Sequence, residues 1–114
     1  MAPGLQEKRR FPRIKLNTPL RYHTRGLPEY NNTLCEDISL GGVRFINDKF
    51  IRPEASLALE INVLTRALNP IGRVAWSQPV AHSDRYRVGV EFLEFDAKER
   101  YCLSDYIDMR TQEV

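Results

Sequence analysis

The sequence predicts a mostly β protein, a small antiparallel barrel of about six short strands followed by one C-terminal α-helix. Between residues 14 and 92, apolar side chains recur at every second position in short runs, and turn-forming residues separate the runs. After residue 95 the apolar spacing changes to that of an amphipathic helix. Many short strands at this spacing are typical of a small barrel, and we expect the helix to cap it or to pack on its side.

Alternation defines the six strands in order. The first strand contains Pro19, which suggests an edge or a bulge. The fourth has the cleanest alternation, as expected of a half-buried strand. The residues that define the strands are Ile14, Leu16, Leu20 and Tyr22; Leu34 to Ile38; Val43 and Phe45; Leu57, Leu59, Ile61 and Val63; Gly72, Val74 and Trp76; and Val88, Val90 and Phe92.

The helix is predicted after Asp96. Asp96 followed by Glu99 fits a capped helix start, and acidic residues there match the positive end of the helix dipole. The apolar residues at helical spacing are Cys102, Leu103, Tyr106 and Ile107.

The composition fits one soluble domain. The chain has 114 residues, of which 42% are hydrophobic and 28% charged, values that argue against general disorder. Residues 1–8 are expected to be a flexible lead-in, and residues 9–111 a single domain. No apolar run exceeds three residues, so no membrane span is expected. Two cysteines, Cys35 and Cys102, are too few for a disulfide framework or a cysteine-based metal site. They predict reduced thiols in a cytoplasmic protein.

Positive charge is concentrated near the N-terminus. Residues 1–25 contain seven Lys or Arg and one acid, a net charge of +6 in a chain whose total is +2. The remaining residues therefore carry −4. This asymmetry suggests an anionic partner near the N-terminus without identifying the anion.

Five residues, Arg9–Arg10–Phe11–Pro12–Arg13, form an R-x-x-x-R pattern. Guanidinium groups bind phosphate oxygens bidentately, pair with the O6/N7 edge of guanine and stack on flat rings. Pro12 disfavours helix at Phe11, so the segment is expected to be extended. Alone, the pattern leaves a solvated basic face and an anion site equally open.

A second motif, D-x-S-x-x-G, spans "DISLGG" from Asp37 to Gly42. Asp and Ser side chains accept hydrogen bonds from nearby backbone amides and tighten turns. Gly41 and Gly42 permit positive φ and close approach of another group. The motif is explained either as a strand–turn–strand corner or as a polar rim. In a rim, Asp37 could accept from a guanine edge or orient an arginine, and Ser39 could bond a phosphate or the base.

Together the two motifs resemble the PilZ domain family, in which an R-x-x-x-R segment precedes a [D/N]-x-S-x-x-G segment by about 20–30 residues. Here Arg9 and Asp37 are 28 positions apart. "GGVRF", "GRVAW" and "YRVGVEF" also look like PilZ, as does the order of strands before a C-terminal helix. The likeness covers roughly residues 7–110.

The resemblance implies a six-stranded antiparallel PilZ-type β-barrel with a C-terminal α-helix. It also implies a ligand, the bacterial second messenger cyclic di-GMP. Arginines of the first motif would grip phosphates and guanine edges, and the second motif would hold a guanine and the ligand backbone. The implied ligand-binding residues are Arg9, Arg10, Arg13, Asp37, Ser39, Gly41, Gly42 and Trp76.

Several of these positions keep two interpretations. Trp76 alternates with apolar strand residues and is most simply a core residue, although its place in "GRVAW" resembles a position near the ligand. Arg44, Arg73 and Lys8 are further candidates. Lys8 would help to hold a second, stacked ligand molecule, and a ligand-dependent dimer is a related expectation.

Other functions are less well supported by the sequence. His23 and His82 are isolated, and there is no H-E-x-x-H motif or phosphate loop, so we expect neither catalysis nor a cofactor or metal. The alternative is a single-stranded nucleic-acid-binding barrel with a basic arm. The near-neutral total charge opposes it, and it leaves "DISLGG" unexplained. An adaptor with a purely structural site is the third class. In the receptor interpretation, ligand binding orders the Arg-rich N-terminal segment, which then signals to an unidentified effector protein.

Overall fold

The computed structural model describes residues 11–112, so the predicted lead-in of residues 1–8 lies outside it. Within that range the elements are β1 (Ile14–Lys15), β2 (Pro19–Thr24), β3 (Asn31–Ile38), β4 (Gly42–Asn47), β5 (Ser56–Val63), β6 (Arg66–Leu68), β7 (Ile71–Pro79), β8 (Tyr86–Glu94) and α1 (Ala97–Thr111).

Six antiparallel strands close into a barrel in the order β3-β2-β5-β7-β8-β4, and β4 pairs back with β3. The predicted six-stranded barrel with a C-terminal helix is confirmed. Two short strands lie outside this ring: β1 pairs with β3, and β6 pairs with β5. The described residues include no helix of the length and apolarity that a membrane crossing requires.

Two predicted boundaries change. The first predicted strand is broken into β1 and β2, which pair with opposite halves of β3 along the same edge. The segment from Thr65 to Pro70, predicted to be the turn between the fourth and fifth predicted strands, contains β6. Leu64 adopts a positive φ of 55°, and this tight reversal folds Arg66–Leu68 back onto the end of β5.

The predicted alternation fills the barrel interior. Strand β5 presents four side chains to the core, each 3% exposed or less. Each such burial stabilises the fold by about 1.5–3 kcal/mol. The core residues of the other barrel strands are Leu20, Tyr22, Cys35, Ile38, Val43, Phe45, Val74, Val88 and Val90, whereas Leu34, at the start of the predicted second strand, is exposed.

Helix α1 begins as predicted. The Asp96 carboxylate accepts hydrogen bonds from the backbone amides of Lys98 and Glu99. Leu103, Tyr106 and Ile107 join the core, whereas Cys102 is only half-buried. Hydrogen bonds from Arg100 to the Leu40 carbonyl and from Arg110 to the Lys15 carbonyl place α1 beside the β3–β4 turn and β1.

Two of the three register shifts in the sheet decide which candidate site residues face outward. Cys35 pairs with Phe45, but Asp37 pairs with Arg44, so Glu36 is an extra residue in β3. The extra residue rotates Asp37 from the interior to the outer surface, because side chains alternate along a strand.

The second bulge lies in β7. Val74 pairs with Val90, but Trp76 pairs with Gly89, so Ala75 is the extra residue. Cross-strand partners share a face, and Gly89 faces outward. The expectation that Trp76 shares the interior face of Gly72 and Val74 is therefore wrong. Trp76 is half-buried on the outer surface.

Candidate ligand-binding site

The two bulges bring five residues into one line on the outside of the barrel, which we call the outer row. Its members are cross-strand neighbours from β1, β3, β4, β8 and β7 in turn. Because these strands are hydrogen-bonded to one another, the backbone spacing along the row is fixed. The outer row consists of Lys15, Asp37, Arg44, Gly89 and Trp76.

Asp37 lies at the centre of an arginine cluster. Arg13 Nη1 donates to Asp37 Oδ1 at 2.6 Å. Arg44 Nε lies 3.0 Å and 2.9 Å from the two carboxylate oxygens, and Arg44 Nη2 also donates to Oδ2. The Asp37 side chain is only 6% exposed, whereas those of Arg13 and Arg44 are 40% and 38% exposed. One nearly buried carboxylate therefore holds two accessible cations, with a net charge of +1.

The carboxyl of Asp37 stays ionised in this setting. Burial alone would raise its pKa, but hydrogen bonds from Arg44 and Arg13 outweigh that effect and lower the pKa below its ordinary value of 3.8. The same hydrogen bond raises the pKa of Arg44. The cluster consequently keeps its charges at neutral pH.

The turn between β3 and β4 is built by the second motif. Ser39 Oγ accepts from the Gly41 amide at 3.1 Å, and the Ser39 amide donates to the Gly42 carbonyl at 2.9 Å. Neither glycine has a positive φ, so the first of the two possibilities is not used here. Close approach is the reason for both glycines. A Cβ on Gly42 would lie 2.2 Å from the Val90 carbonyl oxygen, and one on Gly41 would lie 3.1 Å from Phe11 Cδ2.

Trp76 lies against the backbone of Gly89. A Cβ on Gly89 would be 2.3 Å from Trp76 Cε2 and 2.6 Å from its Nε1. Only a glycine lets the indole lie this close to β8. Gly89 also separates Trp76 from Arg44 in the outer row. The row thus offers an aromatic ring on one side of Gly89 and a guanidinium on the other.

We expect Gly89→Ala to displace the Trp76 ring while the barrel remains folded. The new methyl group meets a half-exposed side chain that can rotate away, so the unfolding free energy should change by about 1 kcal/mol or less. Trp76 is the single tryptophan of the chain, and its fluorescence should shift to longer wavelength.

Gly26→Ala is the control for this substitution, because Gly26 has a φ of +93° but no atom within 4 Å of a new Cβ. It should strain the chain locally and leave the Trp76 emission unchanged. An unshifted spectrum in the Gly89 variant would contradict the packing described.

Charged residues flank the row on both sides. Arg87 donates to Glu36 from Nε at 2.8 Å and from Nη2 at 3.0 Å. The candidate Arg73 pairs with Glu91 and, at 3.6 Å, with Glu54. The Glu36–Arg87 pair was missed by the sequence interpretation, because the two residues are 51 positions apart and belong to no common motif.

Gly89 was also missed, although the sequence held a signal for it. An isolated glycine inside the alternating strand "YRVGVEF" often marks close approach of another group. The group that approaches here is Trp76, which the same register brings opposite.

The structure brings most of the described candidates together. Arg13, Asp37, Arg44 and Trp76 share one surface, and the turn of Ser39, Gly41 and Gly42 lies beside it. The candidates Lys8, Arg9 and Arg10 lie outside the described residues.

A groove and a buried cysteine lie near this surface, and neither belongs to the predicted site. A groove of about 340 Å³ beside it is lined by residues such as Thr33, Cys35, Ile46 and Asp48, and by none of the predicted site residues. Burial, reinforced by the charge of Asp37, raises the pKa of Cys35 to about 12, so its thiol is unreactive. In residues 11–112, no group of three or more His, Cys, Asp or Glu side chains is arranged to hold a metal ion.

Similar folds occur among solved structures. The inhibitor of motility MotI/DgrA of Bacillus subtilis is 20% identical, with a TM-score of 0.80 over 90% of this chain and 51% of that chain. MrkH of K. pneumonia, in complex with c-di-GMP, is 16% identical, with a TM-score of 0.76 over 91% of this chain and 52% of that chain. This chain therefore spans about half the length of both proteins.

The PilZ domain of YcgR from Escherichia coli, with c-di-GMP, is 16% identical and has a TM-score of 0.71 over 93% of each chain. A search of curated protein sequences found no match. The family model described as PilZ domain matches residues 7–108, almost the whole sequence, with both motifs inside the match. The chain therefore belongs to the PilZ domain family.

Proposed function

We propose that the protein is a cyclic di-GMP receptor that acts as an adaptor and not as an enzyme. The observation that carries this proposal is the arginine cluster. Asp37 holds Arg13 and Arg44 on the outer surface, and Trp76 lies two positions further along the same row.

The chemistry of the outer row matches that ligand. Cyclic di-GMP has two phosphates and two guanines, and guanidinium groups bind both phosphate oxygens and the O6/N7 edge of guanine. An indole ring adds a stacking surface for a base. Membership of the PilZ family supports the proposal, as do the c-di-GMP complexes of MrkH and YcgR.

The two arginines that pair with Asp37 differ in how many hydrogen bonds hold them. Arg44 contacts both carboxylate oxygens of Asp37, whereas Arg13 uses one nitrogen on one oxygen. Among the described residues, Arg13 therefore uses one of its five N–H donors on Asp37 and retains the others for a ligand. We assign ligand contact to Arg13, and to Arg44 the further task of orienting Asp37.

Ligand binding is proposed to order the Arg-rich segment that contains Arg9 and Arg10. Their guanidinium groups would close over a ligand that lies on the outer row, and Lys8 would add a further cation. The ordered segment would then present a new surface to an effector protein, with ligand-dependent dimerisation as a second route. We place this activity in the bacterial cytoplasm, where thiols such as Cys35 and Cys102 stay reduced.

Isothermal titration with cyclic di-GMP tests the proposal. We expect saturable binding, and a Kd at least about tenfold higher for Arg13→Ala, which corresponds to about 1.4 kcal/mol. Arg66→Ala, which removes an exposed arginine of β6, is the matched control and should bind like wild type. Absence of binding by the wild-type chain would overturn the proposal.

Two additions sharpen the titration. Raising the salt concentration should weaken cyclic di-GMP binding only moderately, whereas an oligonucleotide would lose affinity steeply because it releases many counterions. Hydrogen exchange over residues 5–15 should slow when ligand is added. Equal exchange in both states would contradict the proposed ordering, although not ligand binding itself.

A further inference from the structure

Arg100 of α1 contacts both motifs although it belongs to neither. Its Nη1 donates to the Leu40 carbonyl at 2.9 Å, and Leu40 lies within "DISLGG". Its guanidinium carbon lies 5.9 Å from the ring centre of Phe11, which lies within the R-x-x-x-R segment. One helix side chain therefore joins two segments that are about 30 residues apart in sequence.

Phe11 completes the connection. Its ring packs against Gly41, where a Cβ would come within 3.1 Å of Phe11 Cδ2. The carbonyl of Gly41 in turn accepts a hydrogen bond from the Phe92 amide at 2.9 Å, which ties the turn to β8. One packed group therefore forms where α1 meets the β3–β4 turn. It consists of Leu40, Gly41, Phe11 and Arg100.

The chemistry of Arg100 suits positioning more than surface charge pairing. Its hydrogen-bond partner among the described residues is a backbone carbonyl, and its planar group faces an aromatic ring. The Arg100 amide also donates to the Asp96 carbonyl at 2.8 Å, within the first turn of α1. Arg100 therefore links Phe11 and Leu40 to the first turn of the helix.

We propose that Arg100 is a positioning residue for the cyclic di-GMP site. It holds the Leu40–Gly41 turn against Phe11 and so sets the distance between the two motifs. It also makes α1 the element through which ligand binding reaches the rest of the molecule. This inference rests on the proposed function, because it concerns the same site.

Arg110 provides a matched control on the same helix. Its Nη2 donates to the Lys15 carbonyl at 3.0 Å, and its guanidinium carbon lies 5.6 Å from the Tyr106 ring centre. Arg110 thus anchors α1 to the barrel by the same chemistry, without contact to Phe11 or Leu40. A variant at Arg110 measures the effect of losing a helix anchor alone.

The experiment is a binding cycle on the full chain with cyclic di-GMP. We expect Arg100→Ala to raise Kd about tenfold. Arg100→Lys, which keeps the charge and a donor, should recover part of the loss. Arg110→Ala should lower the melting temperature about as much as Arg100→Ala does, but raise Kd by clearly less.

A double variant separates positioning from general destabilisation. Because Arg100 acts through Phe11, the combined Arg100→Ala and Phe11→Ala variant should raise Kd by much less than the product of the two single effects. Effects that simply multiply would overturn the proposal, as would an Arg100→Ala variant that binds like wild type. If Arg100→Ala does not fold, Arg100→Lys replaces it in the same cycle.

The outcome for the wild-type chain keeps the two proposals distinct. Wild-type binding together with unchanged binding by the Arg100 variants refutes only the positioning role. Absence of wild-type binding refutes the proposed function, and the positioning role falls with it.

Discussion

Asp37→Ala is expected to have the largest combined effect on ligand affinity and on stability, because it removes the carboxylate that holds both Arg13 and Arg44. Without it, Arg13 and Arg44 would repel each other and lose their shared position. We expect the Kd for cyclic di-GMP to rise at least about tenfold. The unfolding free energy should fall by about 2 kcal/mol, less than the 3–5 kcal/mol typical of a fully buried pair, because both guanidinium groups are partly solvated.

Glu60→Ala is the control for an ordinary surface ion pair. Glu60 accepts from Arg21 on the outside of the barrel, and both side chains are substantially exposed. Its loss should lower the unfolding free energy by less than about 1 kcal/mol and leave the Kd unchanged. Urea unfolding and titration calorimetry provide the two measurements. Equal stability losses for the Asp37 and Glu60 variants would contradict the special role of the cluster.

The stabilisation by Asp37 should also depend on pH in a defined direction. Its pKa is lowered in the folded state, so its contribution is fully present above the ordinary value of 3.8. The contribution is lost as pH falls from that value through the lower folded pKa. Asp37→Asn should therefore reduce the loss of stability that wild type shows as the pH falls below about 4, which urea unfolding at several pH values measures.

Among the variants proposed, Gly42→Ala is expected to cause the largest loss of stability. The new Cβ would lie 2.2 Å from the Val90 carbonyl oxygen, 3.3 Å from the Val90 carbonyl carbon and 3.5 Å from Glu91 Cα. All three are backbone atoms of the partner strand, so relief requires β4 and β8 to separate. Overpacking usually costs about 1–3 kcal/mol, and we expect about 3 kcal/mol or more here.

The neighbouring glycine supplies the matched control. In Gly41→Ala the nearest atom is Phe11 Cδ2 at 3.1 Å, which belongs to a side chain that is 37% exposed and can move. Urea unfolding should show a loss below about 1 kcal/mol for this variant. Similar losses for the two variants would show that contact with the β8 backbone is not what requires Gly42.

The alternation in the sequence was sufficient for the barrel but not for the orientation of its site residues. A period of two depends only on the strand itself, and the four core residues of β5 follow it without exception. A bulge depends on how the neighbouring strand pairs. The sequence alone therefore could not identify Glu36 and Ala75 as the extra residues of two bulges, and Trp76 was placed on the wrong face of its strand.

Part of the site was predictable for a different reason. Arg13, Asp37 and Arg44 lie in or next to sequence motifs whose residue types suit guanine and phosphate recognition. Arg100 carries no such signal. It is one charged residue among several on an amphipathic helix, and only the packing of α1 on the barrel end brings it to Leu40 and Phe11.

The outer row also bears on the size of ligand that the surface can distinguish. The backbones of Arg44 and Trp76 are two strand spacings apart, about 10 Å, and main-chain hydrogen bonds through Gly89 maintain that backbone distance, while the indole of Trp76 extends over Gly89 towards Arg44. A smaller molecule, with one base and one phosphate, that reaches either Arg44 or Trp76 but not both would make only part of the contact. In the proposed receptor, a molecule that carries both groups would engage Arg44 and Trp76 together, as two linked binding events. The spacing of the row would then favour a ligand that spans it over a shorter one.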